Sequence, residues 1–287
     1  MEYKVGRDLE LTRYLCGISQ EEAAREIGID RTTLLRIEKS EFTPSEKTIN
    51  QIYSYLYKKG IDINEIKAMF YDEQMDVGTL LVHGSKSYID GKIAPFKSRK
   101  TSDFGQAFYC AESVKQASLF VTEFEGSCIY ILGFDDRNLN RVNFEINQEW
   151  MLAVAYFRGT LDKYKDHPKI QKIVNKVKNA DYIVAPIADN RMFDIIGQFV
   201  DGYITDEQCE HCLDATHLGM QYAFLTEKAT SKIKIFERCF VSTEERNANR
   251  KSRLRDSQLS ENKVKEAMRL YRNKGKYIEE LLDETAK

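Results

Sequence analysis

Over the first seventy residues apolar positions return at helical intervals. Leu9, Leu11, Tyr14 and Leu15 fall near a spacing of three to four before Gly17 interrupts them. Ser19-Gln20-Glu21-Glu22 then has the form of a capping box, opening a second helix that carries Ala23, Ala24 and Ile27 and stops at Gly28. Asp30 is placed to cap a third helix beginning Arg31-Thr32-Thr33-Leu34-Leu35-Arg36-Ile37, and Thr43-Pro44-Ser45 separates a fourth with Ile49, Ile52 and Leu56. Near residue 80 the period changes. Leu80-Leu81-Val82 is a short apolar run that ends in His83-Gly84-Ser85, the pattern of a buried strand delivering a polar cluster at its edge. Asp103-Phe104-Gly105-Gln106-Ala107 follows as a glycine turn leading into the aromatic strand Phe108-Tyr109. Further strands are predicted over 127–134, 181–187, 219–225 and 233–236, and a core helix over 149–157 in which Trp150 packs. From Thr243 the chain turns polar, and Val264–Leu270 and Tyr277–Leu282 predict two short amphipathic helices.

This succession gives an α+β chain: a small all-α domain over 1–70, a linker over 71–78, a mixed or antiparallel split β-sheet domain with flanking helices over 79–242, and a charged helical tail over 243–287. A length of 287 residues and a hydrophobic content of 42 % are enough for two packed cores. The net charge of −2 provides no general attraction to nucleic acid or to an anionic membrane. No run reaches the roughly 18 apolar residues needed to span a bilayer. Six scattered cysteines behind a polar start, Met1-Glu2-Tyr3-Lys4, read as reduced thiols in a cytoplasmic protein.

The candidate chemistry lies at the two strand ends. A glycine lets backbone groups approach a flat amide without a Cβ between them, an aromatic ring offers a stacking face, and a neutral imidazole can donate to a hydroxyl. Gly84, Tyr109 and His83 supply these in turn; a core histidine and an ordinary strand aromatic are the alternative. Arg99 or Lys100, in the loop between the strands, can meet a phosphate or simply be solvated. Asp189 or Asn190 reads as a helix cap, with Arg191 a weaker candidate for substrate contact. Cys209-Glu210-His211-Cys212, with His217 nearby, falls a ligand pair short of a zinc site, so no metal is expected.

Two resemblances attach to these residues. The N-terminal helices, with Gln20 followed by Ala24 and a glycine turn at Gly28, resemble the Cro-type (XRE) helix-turn-helix. That resemblance implies a DNA-binding surface of Gln20, Arg31, Thr32, Thr33 and Arg36, the third helix facing the major groove. Residues 1–70 hold 11 Lys or Arg against 12 Asp or Glu, so docking to a partner or dimerisation stays beside DNA binding as a reading.

The second resemblance is to the nicotinamide pocket of the poly(ADP-ribose) polymerase and diphtheria-toxin-like ADP-ribosyltransferases. It rests on His83-Gly84-Ser85 and on Phe104-Gly105-Gln106-Ala107-Phe108-Tyr109, and is closer still to a bacterial domain family of unknown function found beside toxin–antitoxin genes. It implies that NAD is the substrate, that His83 bonds a ribose hydroxyl, that the Gly84 backbone holds the nicotinamide amide and that Tyr109 stacks on the ring. Ser85, Arg99, Phe104 and Gly105 complete the implied NAD-binding set. Ala107 departs from the family's second glycine. The larger departure is Gln221, where the polymerases carry a glutamate that binds the ribose 2′-hydroxyl.

A glutamine amide can hold a hydroxyl but carries no charge and takes no proton. The implied triad of His83, Tyr109 and Gln221 therefore argues against chain elongation and for transfer of a single ADP-ribose, in the setting of a toxin or phage-defence effector. The alternative is a non-catalytic transcriptional regulator that senses NAD or ADP-ribose through a degenerate transferase pocket. DNA, an antitoxin or a protein acceptor, and a second copy of the chain are the partners these readings allow.

Overall fold

A computed structural model describes residues 2–216 and 219–283. In chain order the helices are α1 (Val5–Cys16), α2 (Gln20–Ile27), α3 (Arg31–Glu38), α4 (Glu46–Lys58), α5 (Ile63–Glu73), α6 (Val114–Val121), α7 (Gln148–Arg158), α8 (Pro168–Lys178), α9 (Asn190–Val200), α10 (Asp206–Asp214), α11 (Glu227–Thr230), α12 (Thr243–Leu270) and α13 (Ile278–Asp283). The strands are β1 (Thr79–Ser85), β2 (Phe108–Ala111), β3 (Cys128–Phe134), β4 (Arg141–Asn143), β5 (Tyr182–Pro186), β6 (Met220–Phe224) and β7 (Ile233–Phe240). The fold class is thus α+β, with helices first and a mixed set of strands after them. The chain divides into two compact units, one of residues 1–90, 113–134 and 234–253, the other of residues 91–112, 135–233 and 254–287.

In the first unit the helix starts are written in the sequence. Ser19 Oγ accepts from the Glu22 N–H at 3.1 Å, Asp30 Oδ1 from Thr33 at 2.8 Å and Ser45 Oγ from Thr48 at 3.2 Å, each satisfying an N–H that the first turn leaves without a helical partner. Gly28 closes α2 at φ +82°, a left-handed cap that a side chain would strain. Leu9, Ala23, Ala24, Leu34, Ile37, Ile52 and Leu56 form a core to which β7 adds Phe240. The periodicity of α1 overstates its buried face, since Tyr14 is 83 % exposed and Leu15 52 %. Helix α5 runs on through Glu73, and Tyr71 stacks on Phe236 of β7 at 5.1 Å. Strand β3 lies between β1 and β7, and pairs antiparallel with β1 from Thr79 opposite Phe134 to Ser85 opposite Cys128. Every residue of β3 is buried, which accounts for its near-continuous apolar sequence.

The second unit holds four strands in the order β4, β5, β6, β2. β4 and β5 are parallel, and the β5–β6 and β6–β2 pairs antiparallel. Helices α7, α8, α9 and α10 pack around a core containing Trp150, Phe104, Ile196 and Phe199. Trp150 is fully buried there. Asp189 caps α9, its Oδ1 accepting from Met192 at 2.8 Å.

The C-terminal region corrects one expectation. Val264–Leu270 is the last part of a single 28-residue helix, α12, and only the Tyr277–Leu282 segment forms a short helix of its own, α13. The polar stretch before Val264 contains neither glycine nor proline, and its arginine, lysine, glutamate and glutamine residues are good helix formers.

Candidate functional site

Strand β1 carries His83, Gly84 and Ser85 in the first unit. Residues alternate faces along a strand, so Gly84 points one way and its two neighbours the other. A Cβ on Gly84 would lie 2.6 Å from the Ala117 carbonyl oxygen and 3.0 Å from Val121, both on α6. The absence of a side chain at this position lets α6 approach the strand. His83 is half-buried, and Ser85 Oγ donates to the Ser87 carbonyl at 2.7 Å. On α6 itself Ser118 is buried and donates to Glu245 Oε1 at 3.1 Å.

The second unit brings together Phe104, Gly105, Tyr109 and Gln221. In the β2–β6 pair Tyr109 lies opposite Ala223 and Ala111 opposite Gln221. Opposed residues share a face and so do alternate residues of one strand, so Tyr109 and Gln221 are diagonal neighbours on one face. The Tyr109 hydroxyl donates to the Gly105 carbonyl at 2.9 Å and accepts from the Phe104 N–H at 3.0 Å, tying the glycine turn to the strand that follows. Burial, with the charge of Asp103 added, holds the Tyr109 phenol well above its ordinary value, so it is a donor at neutral pH.

The turn itself is built around Gly105, whose φ of +75° favours glycine. The Phe104 ring is buried against Phe144, with centroids 5.4 Å apart. Ala107, the departure from the second family glycine, is fully buried, so its methyl group adds nothing to an exposed surface. Its N–H donates to Ser98 Oγ at 3.0 Å, while Gln106 Nε2 donates to the carbonyls of Phe96 and Ser98 at 3.0 and 3.1 Å. The loop containing Arg99 is thereby fastened to the turn, with Arg99 and Lys100 exposed at its end.

At the centre of the second unit's polar residues is a group the sequence reading passed over, Asp103. Only 5 % exposed, it accepts at Oδ1 from Arg158 Nε at 2.8 Å and from Nη2 at 2.5 Å. At Oδ2 it accepts from the Ala188 N–H at 3.2 Å and from Gln221 Nε2 at 2.6 Å. Arg158 also donates to the Ala188 carbonyl and lies 4.6 Å from the centroid of the Phe193 ring. Gln221 Nε2 makes a second bond, to the Pro186 carbonyl at 3.0 Å. The signal for Asp103 was a carboxylate immediately before an apolar glycine turn; an acid placed there must be paired if it is buried. Its partners, 55 and 118 residues further along, are set by tertiary packing.

On the helix-turn-helix, Arg31, Thr32 and Arg36 are exposed on α3. Thr33 Oγ1 donates to the capping Asp30, and Arg36 lies 5.3 Å from the centroid of the Phe42 ring. Gln20 is half-buried and donates to Glu38 Oε2 at 2.7 Å, beside the Arg13–Glu38 ion pair at 2.6 Å. In the C-terminal basic stretch Arg250 pairs with Glu123 at 3.1 Å and donates to the Thr122 carbonyl, and Arg246 is buried.

Cys209 and Cys212 lie on α10 with their sulfurs near the carbonyls of Ile195 and Val264, and burial pushes the Cys212 thiol up to about 11. His211 stacks on Tyr271, and His217 lies outside the described residues. Among the described residues no group of three or more His, Cys, Asp or Glu side chains is placed to hold a metal ion, and no helix is long and apolar enough to cross a membrane.

Comparison with known proteins gives two matches. Residues 11–56 match the helix-turn-helix family, and the N-terminal helices are a helix-turn-helix of the XRE type. No curated protein and no solved structure matches the chain. Residues 79–235, more than half of the chain, match the family described as a protein of unknown function (DUF3990), and the chain belongs to that family.

Proposed function

We propose that the chain is an NAD-dependent mono-ADP-ribosyltransferase of the toxin or phage-defence type, carrying an N-terminal DNA-binding module. The observation that supports this reading most is the assembly in the second unit. Tyr109 and Gln221 share one face of the β2–β6 pair, and the Phe104–Gly105 turn is bonded to the Tyr109 hydroxyl. Two separate stretches of the motif, 104–109 and Gln221, thus meet in one place. The roles follow the resemblance: His83 donates to a ribose hydroxyl, the Gly84 backbone meets the carboxamide, Tyr109 stacks on the pyridine ring, and Gln221 accepts from the ribose 2′-hydroxyl.

In the reaction the bond between the nicotinamide nitrogen and C1′ of the ribose breaks, with its electron pair leaving on nicotinamide. An acceptor nucleophile then forms the new bond to C1′ and gives its proton to solvent. Positive charge develops on the ribose as nicotinamide departs, and a neutral glutamine offers it less than a carboxylate would. Such a site suits single transfer to a protein or nucleic-acid acceptor. The exposed Arg31, Thr32 and Arg36 of α3 are the groups offered to DNA. Incubation of the full chain with NAD labelled in the adenosine half tests the proposal. Release of nicotinamide together with label on an acceptor is expected, both lost in His83→Ala. A wild type that leaves NAD intact contradicts it.

The neutral Gln221 beside a helix-turn-helix favours one other reading, a repressor that senses NAD without consuming it. DNA binding that shifts with NAD while the nucleotide stays intact would select that reading over transfer.

A further inference from the structure

Gln221 is held in one orientation. Its Nε2 donates to both Asp103 Oδ2 and the Pro186 carbonyl, two acceptors that an amide oxygen could not face. The amide is therefore not free to turn, and Oε1 points away from both. The side-chain bonds of Gln221 are both made by Nε2, none by Oε1, and Oε1 is not among the fully buried atoms left without a partner among the described residues. Ala111 and Ala185 lie opposite Gln221 on the two neighbouring strands, so the side chains beside the amide are small. Behind it the Asp103 carboxylate is fixed by both bonds from Arg158 and by the Ala188 N–H.

We infer that Asp103 is a positioning residue: it carries the negative charge one side chain back from the ligand and locks Gln221 so that Oε1 is presented as a hydrogen-bond acceptor. The inference rests on the proposed function, because the donor it would meet is the 2′-hydroxyl of the nicotinamide ribose. It adds a specificity that the triad alone does not give. A glutamine free to rotate can serve a donor or an acceptor, whereas one whose Nε2 is occupied serves only a donor. The site then requires a hydroxyl at that carbon and rejects a group that can only accept.

Binding of NAD and of its analogue with fluorine in place of the nicotinamide-ribose 2′-hydroxyl, measured by calorimetry on the full chain, tests this. Fluorine is close in size to the hydroxyl but has no proton to give. The wild type is expected to prefer NAD by about tenfold or more, the effect of one buried hydrogen bond. In Asp103→Asn the new amide can place a donor against Gln221 Nε2, and the preference is expected to shrink to within about twofold. The double variant Asp103→Asn with Gln221→Glu puts an acceptor back at 221 and a donor at 103, and is expected to recover it.

Equal binding of the two ligands by the wild type overturns the inference and leaves the NAD reading standing. So does an Asp103→Asn protein that keeps the full preference. If Asp103→Asn does not fold, Gln221→Glu alone decides the matter, since it sets two carboxylates against each other. Its NAD affinity is then expected to depend on pH between about 5 and 9 while the wild type stays flat. A Gln221→Glu protein that binds NAD as tightly as the wild type at every pH overturns the inference. A wild type that binds neither ligand at millimolar concentration overturns the inference and the proposed function together.

Discussion

Each unit buries a charge network, and the two networks hold different things in place. In the first unit Lys67 of α5 sits between Asp8 of α1 and Glu237 of β7, with side-chain exposures of 1 % for the lysine and 0 % for both acids. Tyr53 of α4 donates to Asp8 at 2.5 Å, and Tyr71, Lys4 and Arg7 reach Glu237 from the rim. Four helices or strands thus meet on one buried cation, which joins the helix-turn-helix to the sheet of the same unit. In the second unit Asp103 is likewise paired, with Arg158, and its network runs on to the Gln221 amide, whose Nε2 is held by Asp103 and by the Pro186 carbonyl. The first network joins elements of the fold and still leaves Asp8 Oδ1 buried without a hydrogen-bond partner among the described residues, whereas the second fixes the orientation of an amide. The lesson is that neither buried charge nor an unpartnered oxygen alone marks a role, and what the network holds in place has to be asked of each.

Removing the central cation tests the first network most severely. Lys67→Met leaves Asp8 and Glu237 buried without a counter-charge, and should lower the stability of the full chain by about 3–5 kcal/mol in a denaturant titration. Replacing the acids as well, by apolar residues of similar volume, should restore most of that loss. A single Lys67→Met variant with unchanged stability would remove the contrast between the units.

A second expected effect concerns Glu245 of α12, again in the first unit. Burial, reinforced by the charge of Asp62, pushes its carboxyl up to about 8, and Ser118, Ser242 and Arg246 surround it. The folded state then holds a proton that the unfolded chain has already lost above its ordinary value of 4.5. The unfolded state binds fewer protons in this window, so stability should fall as pH rises from about 4.5 to 8 and level off above. Glu245→Gln should flatten that fall and gain on the order of a few kcal/mol at pH 8. Melting temperatures of the two proteins across this range are the check, and parallel curves would refute the assignment.

The smallest effect separates packing from binding at Gly84. A methyl group there must displace α6, whose Ala117 oxygen lies 2.6 Å from the Cβ position, so Gly84→Ala should cost about 1–3 kcal/mol without any ligand present. A Gly84→Ala protein as stable as the parent would mean that the approach of α6 does not depend on the glycine, and the measurement is the same melt.

Much of the fold was legible because it is local. Caps at Ser19, Asp30 and Asp189, the glycine stop at Gly28 and the apolar runs of β1, β3 and β5 each depend on neighbours a few residues away. What escaped depends on distance along the chain. Lys67, Asp8 and Glu237 look like surface charges until three remote elements enclose them, and Asp103 looks like part of a turn until Arg158 and Gln221 reach it. The unbroken α12 was missed for another reason: its polar half has no hydrophobic period to announce a helix, only the absence of residues that would end one.

Both readings of the second half of the chain, transfer and sensing, share the claim that NAD is bound, and calorimetric titration of NAD into the purified full chain tests it most directly. The account requires saturable one-to-one binding, accompanied by a rise in melting temperature that grows with NAD concentration. An absence of heat, with no shift in melting at millimolar NAD, would contradict it.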